Sequence, residues 1–256
     1  MAEPLPGKEP AEKERLFELL IHDLAGPLAV IAASSASVLQ RTDRNGPLGE
    51  REKLAFDRIL RNARRSQGIL QDMIEILRSE AGSFRKESLF VGDILKEPIL
   101  EVLETDLRKT VDELAREKNL QAFCTLLEPY GIFIGISGKY GSSAFSHDPR
   151  KIQQIVRNLV SNAVKHRRQR VDVSIRGDAD LLVTVEDDGP GIPESDQKFI
   201  FQRFVRLKAD EHRSVPGLGL GLAGVKALVE AMGGKISFVS REGVGTRFSV
   251  NIPLLE

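Results

Sequence analysis

The sequence predicts an α+β protein built from two parts. The N-terminal part is expected to be an antiparallel helical hairpin that forms a dimeric four-helix bundle, and the C-terminal part an α/β sandwich. Three observations support this fold class. Apolar residues recur at heptad spacing in two stretches before residue 80, a connector containing Asn-Gly-Pro separates these stretches, and runs typical of strands and helices follow one another after residue 90.

Composition sets the broad class of the protein. The chain has 256 residues, 41% of them hydrophobic, which is enough for one large or two modest domains. The 37 basic residues balance 37 acidic ones, so no nucleic-acid partner is expected. The single cysteine, Cys124, excludes an internal disulfide and suits a reducing compartment. The richest apolar run is too short to cross a bilayer, and no signal-peptide pattern opens the chain, so we expect a cytoplasmic protein without membrane insertion.

Two long helices are expected within residues 11–80, after a flexible tail over residues 1–10 that is rich in Pro, Glu and Lys. Two helices joined by a short turn form an antiparallel hairpin. One hairpin leaves its apolar seam half exposed, so two copies should pair as a homodimer. The seam positions are Phe17, Leu20, Leu24, Pro27, Ile31, Ser34 and Val38 in the first helix and Phe56, Ile59, Ala63, Ser66, Leu70, Met73 and Leu77 in the second.

His22 takes the heptad position that points furthest from this seam, which leaves its imidazole accessible. Asp23 follows directly, and Pro27 one turn later would loosen the helix. A neutral imidazole is a competent nucleophile towards a phosphoryl group, and a neighbouring acid can orient it and accept its proton. Most single surface histidines have no such role, so the pattern alone leaves both interpretations open.

The rest of the chain is expected to begin with a hinge at residues 81–90. Residues 91–118 show one amphipathic helical region, with Pro98 inside it. Alternating or apolar runs predict strands at 121–127 and 131–137, a hairpin around RGDAD and two closing strands joined by a turn at 241–245.

The helix predicted over residues 151–166 has a polar stripe. Asn158, Asn162 and Lys165 lie at i, i+4 and i+7, on one face. Amide oxygens suit Mg²⁺, and a lysine beside them suits phosphate oxygens. On a helix considered alone, the ordinary interpretation is a solvated polar face.

Two glycine-rich segments follow this helix. Asp187 ends a predicted strand and begins D-D-G-P-G-I-P, where glycines let the backbone approach a ligand and an acid can accept a hydrogen bond from an exocyclic amine such as that of adenine. Glycines at 217, 219 and 221 open a predicted helix, whose free N–H groups and dipole attract phosphate. A polar segment without apolar period, residues 205–216, lies between them and is expected to be mobile. Each signal is weak alone.

Together these motifs resemble a known family. IHDLAGPL at residues 21–28 resembles the phosphoacceptor box of sensor histidine kinases. The ordered series N-x-x-x-N-x-x-K, D-x-G-x-G-I, F-x-R-F, G-L-G-L-G-L and G-T-x-F, within residues 90–254, resembles the ATP-binding domain that histidine kinases share with gyrase and MutL, called GHKL-type or Bergerat-type. The resemblance implies that residues 11–80 are a dimerisation and phosphotransfer hairpin. It also implies that residues 91–256 are a catalytic domain with three helices layered on a mixed sheet.

The resemblance also implies roles for individual residues. His22 would accept the γ-phosphoryl group of ATP, with Asp23 as the assisting acid–base residue. Asn158 and Asn162 would serve Mg²⁺ and the phosphates, and residues 205–216 would form a lid. The other implied ATP-binding positions are Lys165, His166, Asp187, Gly189, Gly191, Ile192, Phe204, Gly217, Leu218, Gly219, Leu220, Gly221 and Thr246.

Two positions depart from the family pattern. Gly26 stands where Thr or Asn commonly helps to hydrolyse the phosphoaspartate of the partner, and glycine offers no polar side chain for that reaction. Asp188 stands where Asn is frequent.

The predicted function is that of a cytoplasmic histidine autokinase of a two-component system, which uses ATP and Mg²⁺ to phosphorylate His22 and then passes the group to an aspartate of a response-regulator receiver domain. A separate sensor or regulator protein is a further possible partner. Two alternatives stay open: a catalytically silent phosphotransfer or scaffold protein, and a GHKL ATPase or serine kinase that does not use His22.

Overall fold

The computed structural model describes residues 24–39, 48–79, 84–104, 108–202, 205 and 221–255. The chain divides into two compact units, Met1–Arg78 and Ser79–Glu256. The described part of the first is helical and the second combines helices with a mixed five-stranded sheet, so the predicted α+β class is confirmed. No helix within these described ranges is long and apolar enough to cross a membrane.

The described part of the first unit consists of helix α1, residues 24–39, and helix α2, Glu50–Ser79. The side chain of Glu52 reaches back to accept the N–H of Gly49 at 3.0 Å, which satisfies a free donor at the start of α2. Ala63 and Leu70, both predicted seam residues, are buried, together with Leu60. Their spacing follows the heptad period that the sequence predicts.

The α-helices described in the second unit are α3 (Val91–Glu104), α4 (Arg108–Arg116), α5 (Leu120–Leu127), α6 (Pro149–His166), α7 (Glu194–Gln197) and α8 (Gly221–Ala231). Its strands are β1 (Glu87–Leu89), β2 (Ile132–Ser137), β3 (Phe145–His147), β4 (Val171–Gly177), β5 (Asp180–Asp187), β6 (Lys235–Arg241) and β7 (Gly245–Pro253). The helical region predicted over residues 91–118 is thus divided between α3 and α4.

The strand predicted at residues 121–127 is wrong, because these residues belong to α5. The Asn119 side chain caps this helix by accepting the N–H of Ala122 at 3.1 Å. Phe123, Cys124 and Leu127 are buried on one side of it, at the spacing of a helix rather than of a strand. A short apolar run does not distinguish the two by periodicity.

The five-stranded sheet has the order β2-β4-β5-β7-β6, with β2 parallel to β4 and the other neighbours antiparallel. The strand expected at 131–137 and the hairpin around RGDAD are present as β2 and as β4 with β5. The two closing strands are β6 and β7. Strands β1 and β3 form a separate antiparallel pair.

Part of the segment expected to be a hinge, residues 81–90, is attached to the second unit. Glu87–Leu89 pair with β3, and Leu89 is buried in the core. The backbone N–H of Arg85 donates to Oδ2 of Asp148 at 2.9 Å. Residues 84–90 therefore belong structurally to the unit that begins at Ser79.

One face of the sheet is covered by a layer of helices in which α6 contacts both α3 and α8. Alternate residues of β4, β5 and β7 point into this core, as the period of two in their burial shows. Helix α6 contributes Ile152, Ile155 and Leu159, and burying each such side chain stabilises the fold by about 1.5–3 kcal/mol. This buried face determines which way the polar stripe of α6 points.

Candidate nucleotide-binding site

Helix α6 places the polar stripe beside the start of α8. Asp148 caps α6 by accepting the N–H of Lys151 at 3.2 Å, and Pro149 takes the first helical position. Asn158 is half-buried, and a Cβ atom on Gly221 would lie 3.6 Å from its Oδ1. An amide oxygen therefore lies next to the first residue of a helix, where free N–H groups and the helix dipole attract anions.

The C-terminal end of α6 packs against the turn after β5. Asn162 and His166 are half-buried and Lys165 is exposed. A Cβ atom on Gly189 would lie 2.5 Å from the carbonyl oxygen of His166, so only glycine fits this contact. Gly191 has φ +70°, and a side chain on it would overlap the carbonyl of Arg241.

Asp187 is the last residue of β5 and is 8% exposed. Its Oδ1 accepts the N–H of Gly189 at 2.9 Å, and it lies opposite Thr246 in the ladder of β5 and β7. Burial raises the pKa of Asp187, while the N–H of Gly189, the charge of His166 and the N–H of Thr246 act in the opposite direction. A buried acceptor at the edge of a glycine turn suits the exocyclic amine of adenine.

Asp188 has a different role from its neighbour. Its carboxylate accepts the backbone N–H groups of Arg168 at 2.8 Å, Gln169 at 3.1 Å and Arg170 at 3.1 Å. Desolvation acts to raise the pKa of Asp188, but the N–H groups of Arg170, Gln169 and Arg168 outweigh it, and the pKa is lowered. The acid where the family pattern often has Asn thus fastens the segment after α6 to the turn that follows β5.

Sequence reasoning missed Ser240 and Gln197. The Ser240 hydroxyl accepts the N–H of Ile192 at 2.8 Å and lies 2.8 Å from Oγ1 of Thr246. Gln197 donates its amide to the carbonyl oxygens of Ile192 at 3.0 Å and Ser240 at 3.3 Å. The strand pattern of β6 could have indicated Ser240, because a period of two puts Ser240 on the same face as the apolar residues Ile236 and Phe238.

The residues that the sequence predicts to lie around the base of ATP come together at one end of the sheet. Asp187, Gly189, Gly191, Ile192 and Thr246 all lie where the turn after β5 meets the hairpin of β6 and β7. Ile192 and Thr246 are buried. Asp187 thus provides this junction with a carboxylate that can accept hydrogen bonds, and the amide oxygens of Asn158 and Asn162 are of the ligand type that suits a hard cation such as Mg²⁺.

Several predicted site residues lie outside the described residues. They are His22, Asp23, Phe204, Gly217, Leu218, Gly219, Leu220 and lid residues 206–216. Gly26 is described: it lies in α1 and is exposed, and apart from its chain neighbours and the backbone of its own helix, no atom of the described residues lies within 4 Å of the place where a Cβ atom would lie.

Comparison with known proteins places this geometry in a family. Residues 147–256 match the family described as histidine kinase-, DNA gyrase B- and HSP90-like ATPase. The chain is 32% identical over 247 residues to the circadian input-output histidine kinase CikA of Synechococcus elongatus, which covers 95% of this chain and 30% of that protein. Residues 147–256 belong to this ATPase family, and nearly all of the chain is similar to a histidine kinase.

Further similarities agree with this assignment. The chain is 30% identical over 254 residues to the adaptive-response sensory kinase SasA of a Synechococcus species, and the match covers 94% of this chain and 59% of that protein. It therefore spans less than two thirds of the length of these relatives. Its fold is similar to that of full-length ShkA solved in complex with AMPPNP, with a TM-score of 0.65 at 20% identity over 94% of this chain and 46% of that one.

Proposed function

We propose that this chain is a histidine autokinase of a two-component system, which transfers the γ-phosphoryl group of ATP to His22 and then to an aspartate of a response-regulator receiver domain. The observation that supports it best is the placement of Asn158 beside Gly221, with Oδ1 3.6 Å from the Cβ position of the glycine. This contact joins the polar stripe of α6 to the phosphate-attracting start of α8. In a chain of this family, it supports a working nucleotide site rather than a silent scaffold.

The base of ATP is assigned to the turn after β5. The buried Asp187 would accept the hydrogen bond of the exocyclic amine, and Gly189 and Gly191 let the turn that carries it pack directly against the backbone of His166 and Arg241. Guanine has a carbonyl oxygen where adenine has this amine, and an acceptor facing an acceptor is unfavourable. The site should therefore prefer ATP to GTP.

The phosphates are assigned to the face between α6 and α8. Asn158 and Asn162 would hold Mg²⁺, which when bound neutralises charge on the transferred group. Lys165 and His166 would contact the phosphates or the ribose. The N-terminal N–H groups of α8 offer further donors to phosphate oxygens.

At the acceptor, the imidazole of His22 attacks the γ-phosphorus. A nitrogen–phosphorus bond forms, the bond from phosphorus to the leaving oxygen of ADP breaks, and Asp23 takes the imidazole proton. The same phosphoryl group then passes to the carboxylate of the receiver domain, which regenerates neutral His22. The product on His22 is a phosphoramidate and is therefore labile in acid.

Homodimer formation, as part of this proposal, is supported by apolar side chains on the helices of the first unit. Leu24, Val30, Ile31, Leu54 and Ile59 are between 44% and 65% exposed. Five such residues on two helices leave apolar surface that a second hairpin would bury in a four-helix bundle. We also propose that the chain is located in the cytoplasm and that a separate sensor or regulator protein is one of its partners.

The test is to incubate the chain with γ-labelled ATP and Mg²⁺ and to measure the acid lability of the label. The proposal expects an acid-labile label that is lost in His22→Gln, while this variant still binds ATP. ATP binding without any label would indicate a scaffold, and an acid-stable label would indicate a serine kinase. His147 is fully buried and serves as an internal control, because His147→Gln should leave the site of labelling unchanged.

A further inference from the structure

The hydroxyl of Ser240 lies where the turn after β5 meets the hairpin of β6 and β7. The N–H of Ile192 donates to its Oγ at 2.8 Å. The carbonyl oxygen of Gly245 lies 3.1 Å away and the hydroxyl of Thr246 2.8 Å away. One half-buried side chain of an edge strand thus joins the turn that receives the base to the strand opposite Asp187.

The Ser240 hydroxyl has a limited number of hydrogen bonds to donate and accept. A serine hydroxyl has one proton and two lone pairs, and the N–H of Ile192 occupies one lone pair. If Ser240 donates to Gly245, the hydroxyl of Thr246 donates to Ser240 and offers its own lone pairs to the site. If Ser240 donates to Thr246, the proton of Thr246 is available to another acceptor. Ser240 therefore determines whether Thr246 acts as a donor or an acceptor.

Thr246 lies at a position where this choice matters for ligand recognition. It is buried and lies directly opposite Asp187 in the ladder of β5 and β7. Asp187 is the group assigned to the exocyclic amine of the base. A Thr246 hydroxyl whose hydrogen atom points to a different acceptor would change the hydrogen-bonding pattern that this end of the sheet offers to a base.

The turn has other attachments that do not involve the Ser240 hydroxyl. Gln197 donates to the carbonyl oxygens of Ile192 and Ser240, at 3.0 Å and 3.3 Å. The N–H of Gly243 donates to the carbonyl of Pro190 at 2.6 Å. Removing the Ser240 hydroxyl should therefore leave the turn in place while changing the direction of the Thr246 hydroxyl and of the Ile192 N–H.

We propose that Ser240 is a positioning residue for base recognition, which acts through the Thr246 hydroxyl and the Ile192 N–H to make the site selective for adenine nucleotides. The inference rests on the proposed nucleotide-binding function and adds a specificity-determining residue to it. Ser240 itself need not touch the nucleotide.

The test measures the Kd of a non-hydrolysable ATP analogue and of its GTP counterpart, with Mg²⁺, on the full chain. Ser240→Ala should weaken binding of the ATP analogue roughly five- to thirty-fold, the equivalent of one lost or unsatisfied hydrogen bond. Binding of the GTP analogue should change less, so the preference for adenine falls. Ser240→Thr keeps the hydroxyl and should restore the preference. Ser237→Ala is the matched control, because Ser237 is exposed on the same strand.

A double-mutant cycle gives a readout that a general loss of stability would not change. In a Thr246→Val background, the Ser240 substitution should have little further effect on the ratio of the two Kd values, because the group that it positions is gone. Should Ser240→Ala fail to fold, Ser240→Cys replaces it, since a thiol is similar in size but a weak hydrogen-bond partner.

Equal behaviour of Ser240→Ala and Ser237→Ala overturns the inference and leaves the proposed function intact. Equal loss of both nucleotides, accompanied by a lower Tm of the nucleotide-free chain, also overturns it by showing a purely structural role. A wild-type chain that binds neither nucleotide overturns the proposed function itself and this inference with it.

Discussion

The carbonyl oxygen of His166 lies 2.5 Å from the place that a Cβ atom on Gly189 would take, so the end of α6 and the turn after β5 meet backbone to backbone. In Gly189→Ala, the added methyl group must separate the two segments, because the His166 carbonyl is part of the backbone and cannot rotate away; the methyl group would also lie 2.6 Å from Oδ1 of Asp187. We expect a loss of about 1–3 kcal/mol in the free energy of unfolding. Urea denaturation measures this loss.

The same substitution should weaken ATP binding about tenfold or more, because the separation also displaces Asp187. The control is Gly135→Ala in β2, where no atom lies within 4 Å of the Cβ position. This control should leave both stability and nucleotide affinity close to those of the wild type. A stable, fully binding Gly189→Ala would contradict the backbone contact.

Gly221→Ala should separate affinity from stability. The new Cβ would lie 3.6 Å from Oδ1 of Asn158, which is an ordinary van der Waals distance, so the fold should be as stable as the wild type or up to about 1 kcal/mol more stable. A methyl group at the start of α8 would nevertheless occupy space assigned to phosphate, and ATP affinity should fall. Isothermal titration and thermal unfolding measure the two effects.

Gly92→Ala is the matched control for this substitution. Gly92 is the second residue of α3, and its added Cβ would meet only Leu120, at 3.7 Å. It should leave ATP affinity unchanged. If Gly221→Ala and Gly92→Ala bind ATP with equal affinity, the start of α8 does not bind the phosphates.

Asp187→Asn should change the pH dependence of stability. Burial raises the pKa of Asp187 above its ordinary 3.8, so the folded chain binds the proton more tightly than the unfolded chain does. The wild type is therefore expected to lose stability as pH rises from the ordinary value through the raised pKa of the folded state. Asp187→Asn lacks this loss, because its amide does not ionise in that range.

Urea unfolding of the wild type and of Asp187→Asn across that pH range measures the difference. At neutral pH the variant should be at least as stable as the wild type and should bind ATP more weakly, since an amide can present an N–H group towards the exocyclic amine. Parallel pH profiles of the two proteins would exclude a raised pKa at Asp187.

Gly26→Asn tests the departure at the phosphoacceptor box. Gly26 is exposed on α1 with no neighbour near its Cβ position, so a longer side chain fits without displacing other atoms. The resemblance to sensor histidine kinases implies that a polar side chain here helps to hydrolyse the phosphoaspartate of the receiver domain. We expect the variant to release phosphate faster from a phosphorylated receiver domain than the wild type does.

Gly26→Ala is the control for that experiment, because alanine raises helix propensity without adding a polar group. It should leave phosphate release at the wild-type rate. Equal rates in all three proteins would show that residue 26 does not limit the reaction in this chain.

The polar stripe of α6 could be predicted because it depends on local periodicity alone. Ile152, Ile155 and Leu159 recur at helical spacing, so Asn158 and Asn162 had to share another face. The glycine turn after β5 was equally local. By contrast, the prediction of a strand at 121–127 is wrong. A run of seven mostly apolar residues fits both the helical and the strand period, and only the Asn119 cap and the packing of Phe123 favour a helix.

The contacts that join the site could not be predicted in the same way. Ser240 and Ile192 are 48 residues apart, and Asp188 reaches back 18 to 20 residues to the segment after α6. Hydrogen bonds of this kind depend on which strands become neighbours. The sequence of any one segment does not contain that information.

The sequence by itself determined the α+β class, the polar helix, the glycine turns and the resemblance to sensor histidine kinases, because each depends on spacing along the chain. Only the tertiary structure decided that Asn158 meets the start of α8, that Asp188 fastens the segment after α6, and that Ser240 lies between Ile192 and Thr246. The order of strands in the sheet brings these distant residues together, and side-chain hydrogen bonds form only once that order exists.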